Sequence, residues 1–345
     1  MKWNKKIFIA VGIGFMLVAV VFLDRLVNID QKKDPLDQKV MEEKDIYREQ
    51  DWSDIVISEN EDQVVYEDRR RTRFSSVDIQ ERALYFGNVW NNLCQYIPDT
   101  VEKYVCPLPT PILYEDGYEE DENAYQEYLK LLRENLNTDT KVGNLFGSIE
   151  DHIDEGCFYR YTDALSNRGG YYVANTLLDM MGEKSLLALE EYREELYSVR
   201  SEGDVPDPTY LYTLPDSKSY CELFQIDAEG KIYSQKYPVV AKRGRQEGSV
   251  LKDGNYEWAV IEGDGAKDAV LLIADNSGKA IAPYLANQFH KVIVVCLDFG
   301  SLFGTGEYSV ERFFEQYHIT KIICAQDVSK MGKIESSYIL NKFAE

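Results

Sequence analysis

The most regular pattern in the chain is a short apolar run, then a polar turn, then a helical pattern, within residues 268–285. Residues 270–273 are apolar without alternation, which is typical of a parallel strand covered on both faces. The turn at residues 275–278 contains residue types that cap helices, and a helical pattern starts at Lys279. Because ligands of open α/β sheets bind at the carboxyl ends of the strands, we expect part of any functional site at this turn.

Apolar runs and helical patterns alternate along most of the chain. Strand patterns lie at residues 104–109, 141–146, 157–161, 256–262, 291–297 and 319–325. Helical patterns lie at residues 77–96, 124–135, 169–181, 186–198 and 310–317. Hairpins are predicted within residues 54–66 and 220–237, and a loop at residues 205–215. Strands that alternate with helices predict an α/β fold whose parallel sheet has helices on both faces.

The N-terminus contains an uncharged apolar run from Ile7 to Leu23, which three lysines precede. The run is at the short end for a membrane span, and no small-residue cleavage site follows it. We therefore predict a cytoplasmic tip and uncleaved transmembrane anchor at residues 1–27, a charged stalk at 28–50 and a single domain at 51–345. Since positive charge precedes the span, the N-terminus is predicted to be cytoplasmic and the domain extracytoplasmic.

The formal net charge of −22 argues against nucleic acid as a partner, since phosphate backbones attract basic surfaces. A basic cluster at residues 69–73 is interpreted as a solvated loop that balances neighbouring acids, with a patch facing an anionic polymer as the alternative. The acidic segment at residues 114–127 lacks the spacing of a calcium loop, and the glycine-rich segment at residues 300–306 lacks phosphate-binding motifs. We therefore predict no metal site and no cofactor.

Six cysteines occur and none forms a CxxC pair, which argues against a zinc or thioredoxin-like site. An extracytoplasmic location permits disulfides, and Cys94 with Cys106 is the candidate pair. Cys296 and Cys324 lie in apolar strand patterns and are interpreted as small core residues.

Three segments in a fixed order carry a family resemblance. They are YVCPLPTPILYEDG from Tyr104, DHIDEGCFYRYTDALSNRGGYYVA from Asp151, and YEWAVIEGDGAKDAVLLIADNSGKAIAPYLANQFHKVIVVCLDF from Tyr256. In order, spacing and hydrophobic frame they resemble the DHHW family, a branch of the SGNH-like proteins related to the alginate O-acetylation proteins and DltD. The resemblance covers roughly residues 50–330. It implies a three-layer α/β/α sandwich with a mostly parallel sheet, of the SGNH or flavodoxin-like type.

The family's Asp-His-His-Trp stretch is only partly kept. Asp163 matches its first position, whereas Leu165 stands where the resemblance implies the base histidine, and a leucine cannot move a proton. The chain has three histidines, and His290 and His318 precede strands at the wrong end of the sheet for catalysis. His152 is therefore the candidate substitute base, with a solvent-exposed histidine as the alternative.

The family's Lys-Asp-Ser-Tyr turn is also changed. Asp275 matches, Asn276 holds the nucleophile position, and Ser277 comes one residue late. A serine needs a base that takes its proton and a third group that orients the base, so these losses bear directly on catalysis. We predict that Ser277 caps the following helix, with a nucleophile as the alternative, and that Asp275 and Asn276 contribute to binding.

The resemblance implies a degenerate, membrane-anchored, extracytoplasmic SGNH hydrolase-like protein. On this hypothesis it is a pseudoenzyme that binds a cell-surface glycan or an envelope protein partner in polysaccharide assembly or O-acylation. The first alternative is an active esterase or O-acetyltransferase with Asp163 and Ser277 as its catalytic residues, and the second is a non-catalytic scaffold. A polar, open cleft around Asp163, Asn276 and Ser277 would favour binding, whereas a pocket filled by Leu165 would favour the scaffold.

Overall fold

The structure, a computed structural model of the whole chain, describes residues 56–66, 69–75, 78–160, 162–202, 205–215, 217, 219–226, 231–238, 251, 256–298 and 309–344. All of them belong to the unit Arg48–Glu345. The predicted anchor and stalk, and the glycine-rich segment at residues 300–306, lie outside these ranges. Within the ranges, every helix is too short or too polar to span a bilayer.

The strands form where apolar or alternating runs predict them, with few exceptions. In chain order they are β1 (Val56–Glu59), β2 (Gln63–Tyr66), β3 (Arg70–Thr72), β4 (Glu102–Leu108), β5 (Thr140–Val142), β6 (Arg193–Glu202), β7 (Val205–Thr213), β8 (Tyr220–Ile226), β9 (Ile232–Pro238), β10 (Trp258–Glu262), β11 (Lys267–Ala274), β12 (Phe289–Cys296) and β13 (Ile319–Asp327).

The helices lie mainly between the strands of the central sheet. They are α1 (Ile79–Cys94), α2 (Glu119–Asn135), α3 (Gly147–Glu150), α4 (Asn167–Met180), α5 (Ala282–Leu285), α6 (Val310–Tyr317) and α7 (Ile334–Ala344). Short 3-10 turns occur at Pro111–Tyr114, Ile153–Glu155, Leu189–Glu191 and Gly278–Ile281. The sequence pattern did not predict α7.

The apolar run at residues 270–273 forms the middle of the central sheet. Among the described residues this sheet has eight strands in the order β5-β4-β13-β11-β12-β10-β8-β9. The neighbouring strands β5, β4, β13, β11 and β12 are parallel to one another. The remaining strands, β10, β8 and β9, each pair antiparallel with the strand before them in the sheet. Leu271 of β11 pairs with Ile322 on one side and Ile293 on the other. The predicted α/β fold with a large, mostly parallel sheet is confirmed.

Helices cover both faces of this sheet and create two apolar cores. Because successive side chains of a strand point to opposite faces, Leu271 and Ile273 join one core, and Val270 and Leu272 join the other. The first core also contains residues of α1, α2, α6 and α7. The second contains residues of α4, α5 and the 3-10 turn after β11. The sheet thus positions its carboxyl edge between two helical layers.

Two predictions fail between α4 and β8. The pattern predicted a helix at residues 186–198 and a loop at residues 205–215, but β6 and β7 form a two-stranded antiparallel ribbon there. Pro206 and Pro208 suggested a loop because proline cannot donate to a sheet ladder. In a two-stranded ribbon each strand has one side without a partner strand, so prolines are tolerated. The predicted strand at residues 157–161 is also wrong, because its described residues, 157–160, form only an isolated bridge.

The candidate disulfide is wrong, because Cys94 and Cys106 are both free thiols. Cys94 ends α1 and belongs to the core on one face of the sheet, whereas Cys106 lies in β4 and points into the core on the other face. The sheet itself separates the two sulfur atoms. Cys296 and Cys324 are fully buried, as predicted.

The interpretation of residues 69–73 as a solvated loop is wrong. Arg69 and Arg71 are about 1–2% exposed, next to and within β3. Arg69 makes two hydrogen bonds to the Glu115 carboxylate, and Arg71 Nε lies 3.1 Å from Glu115 Oε1. Arg71 also donates to the carbonyl oxygen of Arg160. One buried carboxylate therefore holds two buried guanidinium groups and fixes the N-terminal strands on the domain.

We expect the Glu115→Gln variant to lose about 3–5 kcal/mol of unfolding free energy, because it removes the negative charge that contacts two buried guanidinium groups. Urea unfolding of the full chain in detergent, followed by tryptophan fluorescence, measures this loss. Glu127→Gln is the matched control, since Glu127 pairs with Lys130 on an exposed face of α2 and should change stability little. Equal losses in the two variants would contradict the role of Glu115.

Candidate functional site at the carboxyl edge of the sheet

The turn after β11 is held by the side chain of Asp275, which is 1% exposed. Its Oδ1 accepts from Gly278 N at 3.0 Å, and its Oδ2 accepts from Asp327 N at 3.1 Å. The first bond caps the 3-10 turn, and the second ties the end of β11 to the end of β13. Asp275 thus has a structural role at the edge where the sequence predicted a site.

The same turn packs tightly against β13. A Cβ atom at Gly278 would lie 2.1 Å from the carbonyl oxygen of Ala325, so only glycine fits. Ser277 precedes this glycine and is 2% exposed. Its hydroxyl makes no capping hydrogen bond, so the prediction that it caps the helix is wrong. Asp275 takes that role instead, and Ser277 Oγ accepts from Leu165 N at 3.4 Å.

The segment before α4 meets the turn from the neighbouring layer. Leu165 is fully buried, and Ser166 caps α4, with its Oγ accepting from Gly169 N at 3.1 Å. Asp163 Oδ2 accepts from Thr72 N at 3.0 Å, whereas its Oδ1 is buried and has no hydrogen-bond partner. Burial raises the pKa of Asp163, against the opposing effects of Thr72 and the Arg71 charge. The fold therefore places the backbone of Leu165 against Ser277, and Asp163 lies two residues before Leu165 and contacts β3.

Two further charged residues at this edge were not predicted from the sequence. Asp327 ends β13 and is buried, and its Oδ1 accepts from Ser329 N at 2.8 Å. Lys330 Nζ lies 3.7 Å from Asp275 Oδ2. Burial and the nearby Asp275 charge raise the pKa of Asp327 to about 7. The sequence signal that could have identified Asp327 is a carboxylate at the end of a buried apolar strand.

Lys330 is surrounded by carboxyl groups. Burial alone would lower its pKa, but the charges of Asp275, Asp327 and Asp298 together raise it. The amine is therefore held as an ammonium ion and does not serve as a base for Ser277. Asn276 lies half-buried in the same turn, with Asp298 following β12 nearby.

The histidines do not supply the missing base. His152 is hydrogen-bonded with Glu155 at 2.8 Å and its ring stacks on Tyr172 at 3.8 Å, so its imidazole is engaged away from Asp163. His290 is exposed near the amino end of β12, and His318 ends α6 with a φ of 52°. The edge thus brings Leu165 and Ser277 together, and none of the three histidines is hydrogen-bonded to the serine.

We expect the stability of the protein to fall as pH rises from about 4 to about 7. Asp327 has a folded-state pKa near 7 and an unfolded value near 4, so the folded state binds its proton more tightly and loses that advantage at high pH. Asp327→Asn should remove roughly 2–4 kcal/mol of this dependence, as measured by urea unfolding at several pH values. Asp116→Asn, on an exposed loop, is the matched control; an unchanged pH slope in Asp327→Asn would contradict the assignment.

No family model and no curated protein matches the sequence. Solved structures, in contrast, do match the fold of this chain. A DHHW family protein from Eubacterium siraeum superposes with a TM-score of 0.65 at 15% identity, over 84% of this chain and 99% of that chain. PatB1 of Bacillus cereus, solved with a sulfonyl adduct, gives 0.59 at 15% identity over 84% and 99%. The O-acetyltransferase domain of Pseudomonas putida AlgJ gives 0.42 at 9% identity over 82% and 99%, which is too low to support an argument. The resemblance to the DHHW family that the sequence predicts is therefore confirmed at the level of the fold.

Proposed function

We propose that the protein is a membrane-anchored, extracytoplasmic SGNH-like protein that has lost acyl-transfer chemistry and acts as a glycan- or partner-binding module of the cell envelope. The observation that carries the proposal is the unpaired Oδ1 of Asp163 beside Leu165. Most buried polar atoms in proteins have a hydrogen-bond partner, so an orphaned carboxylate oxygen calls for an explanation. An imidazole N–H from position 165 is the kind of donor that would satisfy it.

The surroundings of Ser277 support the loss of catalysis. A serine hydroxyl attacks an acyl group only when a base removes its proton, and the base must itself be oriented. Here the residue that contacts Ser277 is Leu165, whose backbone N donates to Ser277 Oγ and whose fully buried side chain has no group that takes up a proton. Ser277 itself is 2% exposed, which leaves little room for a substrate carbonyl. An active esterase would need a base that the described residues of this edge do not offer to Ser277.

The choice between a binding module and a scaffold depends on where a ligand could sit. The burial of Asp275 and Ser277 argues against binding between Asp163, Asn276 and Ser277. A cavity of about 640 Å³ lies elsewhere, beside α4, and its size suits a small ligand. That cavity favours the binding module over the scaffold.

The membrane anchor and envelope location rest on the N-terminal sequence. Lysines precede the uncharged run from Ile7 to Leu23, which supports a cytoplasmic N-terminus and an extracytoplasmic domain. The link to polysaccharide O-acylation or assembly rests on the fold shared with the DHHW family protein and PatB1. The acidic surface, with a net charge of −22, disfavours nucleic acid as the partner.

We expect a fluorophosphonate probe to leave Ser277 of the full-length protein unlabelled, because no base activates the hydroxyl. Wild type and Ser277→Ala should give the same background in detergent, while a known serine esterase under the same conditions is labelled. Circular dichroism of both proteins checks that they are folded. Labelling of the wild type that disappears in Ser277→Ala would show an activated serine and overturn the proposal.

We further expect a Leu165→His/Asn276→Ser double variant to gain labelling that wild type lacks. Its imidazole could donate to Asp163 Oδ1, and its serine would stand at the nucleophile position of the family turn. Each single variant is a control and should stay at background, since one member of the pair is missing. A folded double variant without labelling would show that the orphaned Asp163 oxygen is not the remnant of a catalytic pair.

A further inference from the structure

A cavity of about 640 Å³ opens beside α4, away from the turn that contains Ser277. Its walls come from α4, the 3-10 turns Ile153–Glu155 and Leu189–Glu191, and the facing ends of β6 and β7. A volume of this size lies within the range of pockets that hold small ligands.

Aromatic side chains form much of the wall and pack on one another. The Tyr172 ring stacks on His152 with a centroid distance of 3.8 Å. Tyr171 meets Tyr172 and Tyr192 edge-on, at 5.2 Å and 5.9 Å. Rings that are fixed by such contacts give a ligand a rigid, amphipathic surface at little cost in conformational entropy. The C–H faces of sugar rings are well suited to surfaces of this kind.

Carboxylates outnumber the other charged side chains that line the cavity. Glu155, Glu190 and Glu194 line it, together with Arg168. Arg168 is already engaged, because it donates to the Tyr212 hydroxyl, the Glu155 carbonyl oxygen and Glu194 Oε1. Even with His152 protonated, carboxylates outnumber the cations that face the cavity.

Fixed hydrogen bonds keep the Glu155 carboxylate ionised. Glu155 Oε2 accepts from the Tyr172 hydroxyl at 2.5 Å, and Oε1 is hydrogen-bonded with His152. Burial alone would raise the pKa of Glu155, but these two bonds bring it below its usual value. Glu190 is exposed at the rim. The charge on the cavity therefore suits a positively charged ligand.

We propose that this cavity binds an oligosaccharide that carries protonated amino groups, with its ammonium groups paired to the carboxylates and its ring faces against the tyrosines. The inference rests on the proposed function as a glycan-binding module and names the class of glycan. A second cavity of about 260 Å³ shares Tyr192 and Tyr212 with the first, which gives room for more than one sugar. The net charge of −22 attracts such a polycation from a distance.

The test is a titration of the full-length protein in detergent with a glucosamine tetramer, its fully N-acetylated counterpart and tetralysine, by isothermal calorimetry. The glucosamine tetramer should bind about tenfold more tightly than the N-acetylated tetramer, which has the same rings without the charges. Its affinity should fall as salt shortens the Debye length from roughly 30 Å to about 3 Å. Glu190→Gln should weaken binding about threefold. Glu134→Gln, an equal charge change on the exposed side of α2, should leave the affinity unchanged.

Each result decides a different point. Equal binding of the two tetramers would overturn recognition by charge but leave glycan binding intact. Tighter binding of tetralysine would overturn the sugar assignment in favour of a basic peptide. Binding that Glu190→Gln and Glu134→Gln weaken equally would move the site away from the cavity, and no binding of either tetramer would overturn the inference. None of these results depends on fluorophosphonate labelling of Ser277, which tests the loss of catalysis separately.

Discussion

The carboxyl edge of the sheet depends on one buried carboxylate, that of Asp275. An ionised group without partners is strongly unfavourable inside a protein, so the surrounding chain must supply donors. Gly278 N and Asp327 N donate to its two oxygens, and the Lys330 ammonium lies 3.7 Å away. These contacts fix the turn after β11, the end of β13 and the segment that leads to α7. These contacts also fix the position of Ser277, because Ser277 lies between Asp275, which caps the turn, and Gly278, which packs against β13.

The two aspartates that match the family pattern both have structural roles that do not involve catalysis. Asp275 closes the turn, and Asp163 Oδ2 accepts from Thr72 N and so ties the N-terminal strands to the domain. Their presence is therefore no evidence for a working site. The chain departs from the family pattern at positions 165 and 276, where the resemblance implies a histidine and a serine.

The sequence predicted the elements that lie between two helical layers, because burial on both faces leaves an unbroken apolar run, as in β11, β12 and β13. It failed at β6 and β7, where a two-stranded ribbon has no such run and Pro206 and Pro208 suggest a loop. It also failed at Arg69 and Arg71, because their counterion Glu115 lies more than 40 residues away and only the fold brings them together. At the candidate site, Asp275 and Ser277 lie in the turn after β11 that the sequence singled out, whereas Lys330 follows no apolar pattern of its own.

The turn that contains Ser277 and the cavity share one element, because α4 packs against the 3-10 turn after β11 and also forms part of the cavity wall. The edge is fixed by the sheet, where each side chain is constrained by its neighbours in the core. The other walls of the cavity come from turns and from the ends of a ribbon, which tolerate substitution and commonly carry binding residues. The fold therefore offers a surface on which recognition can be built without disturbing the core. The carboxylates and tyrosines around Arg168 are such a surface, and their charge selects a cationic ligand whether or not Ser277 ever acted as a nucleophile.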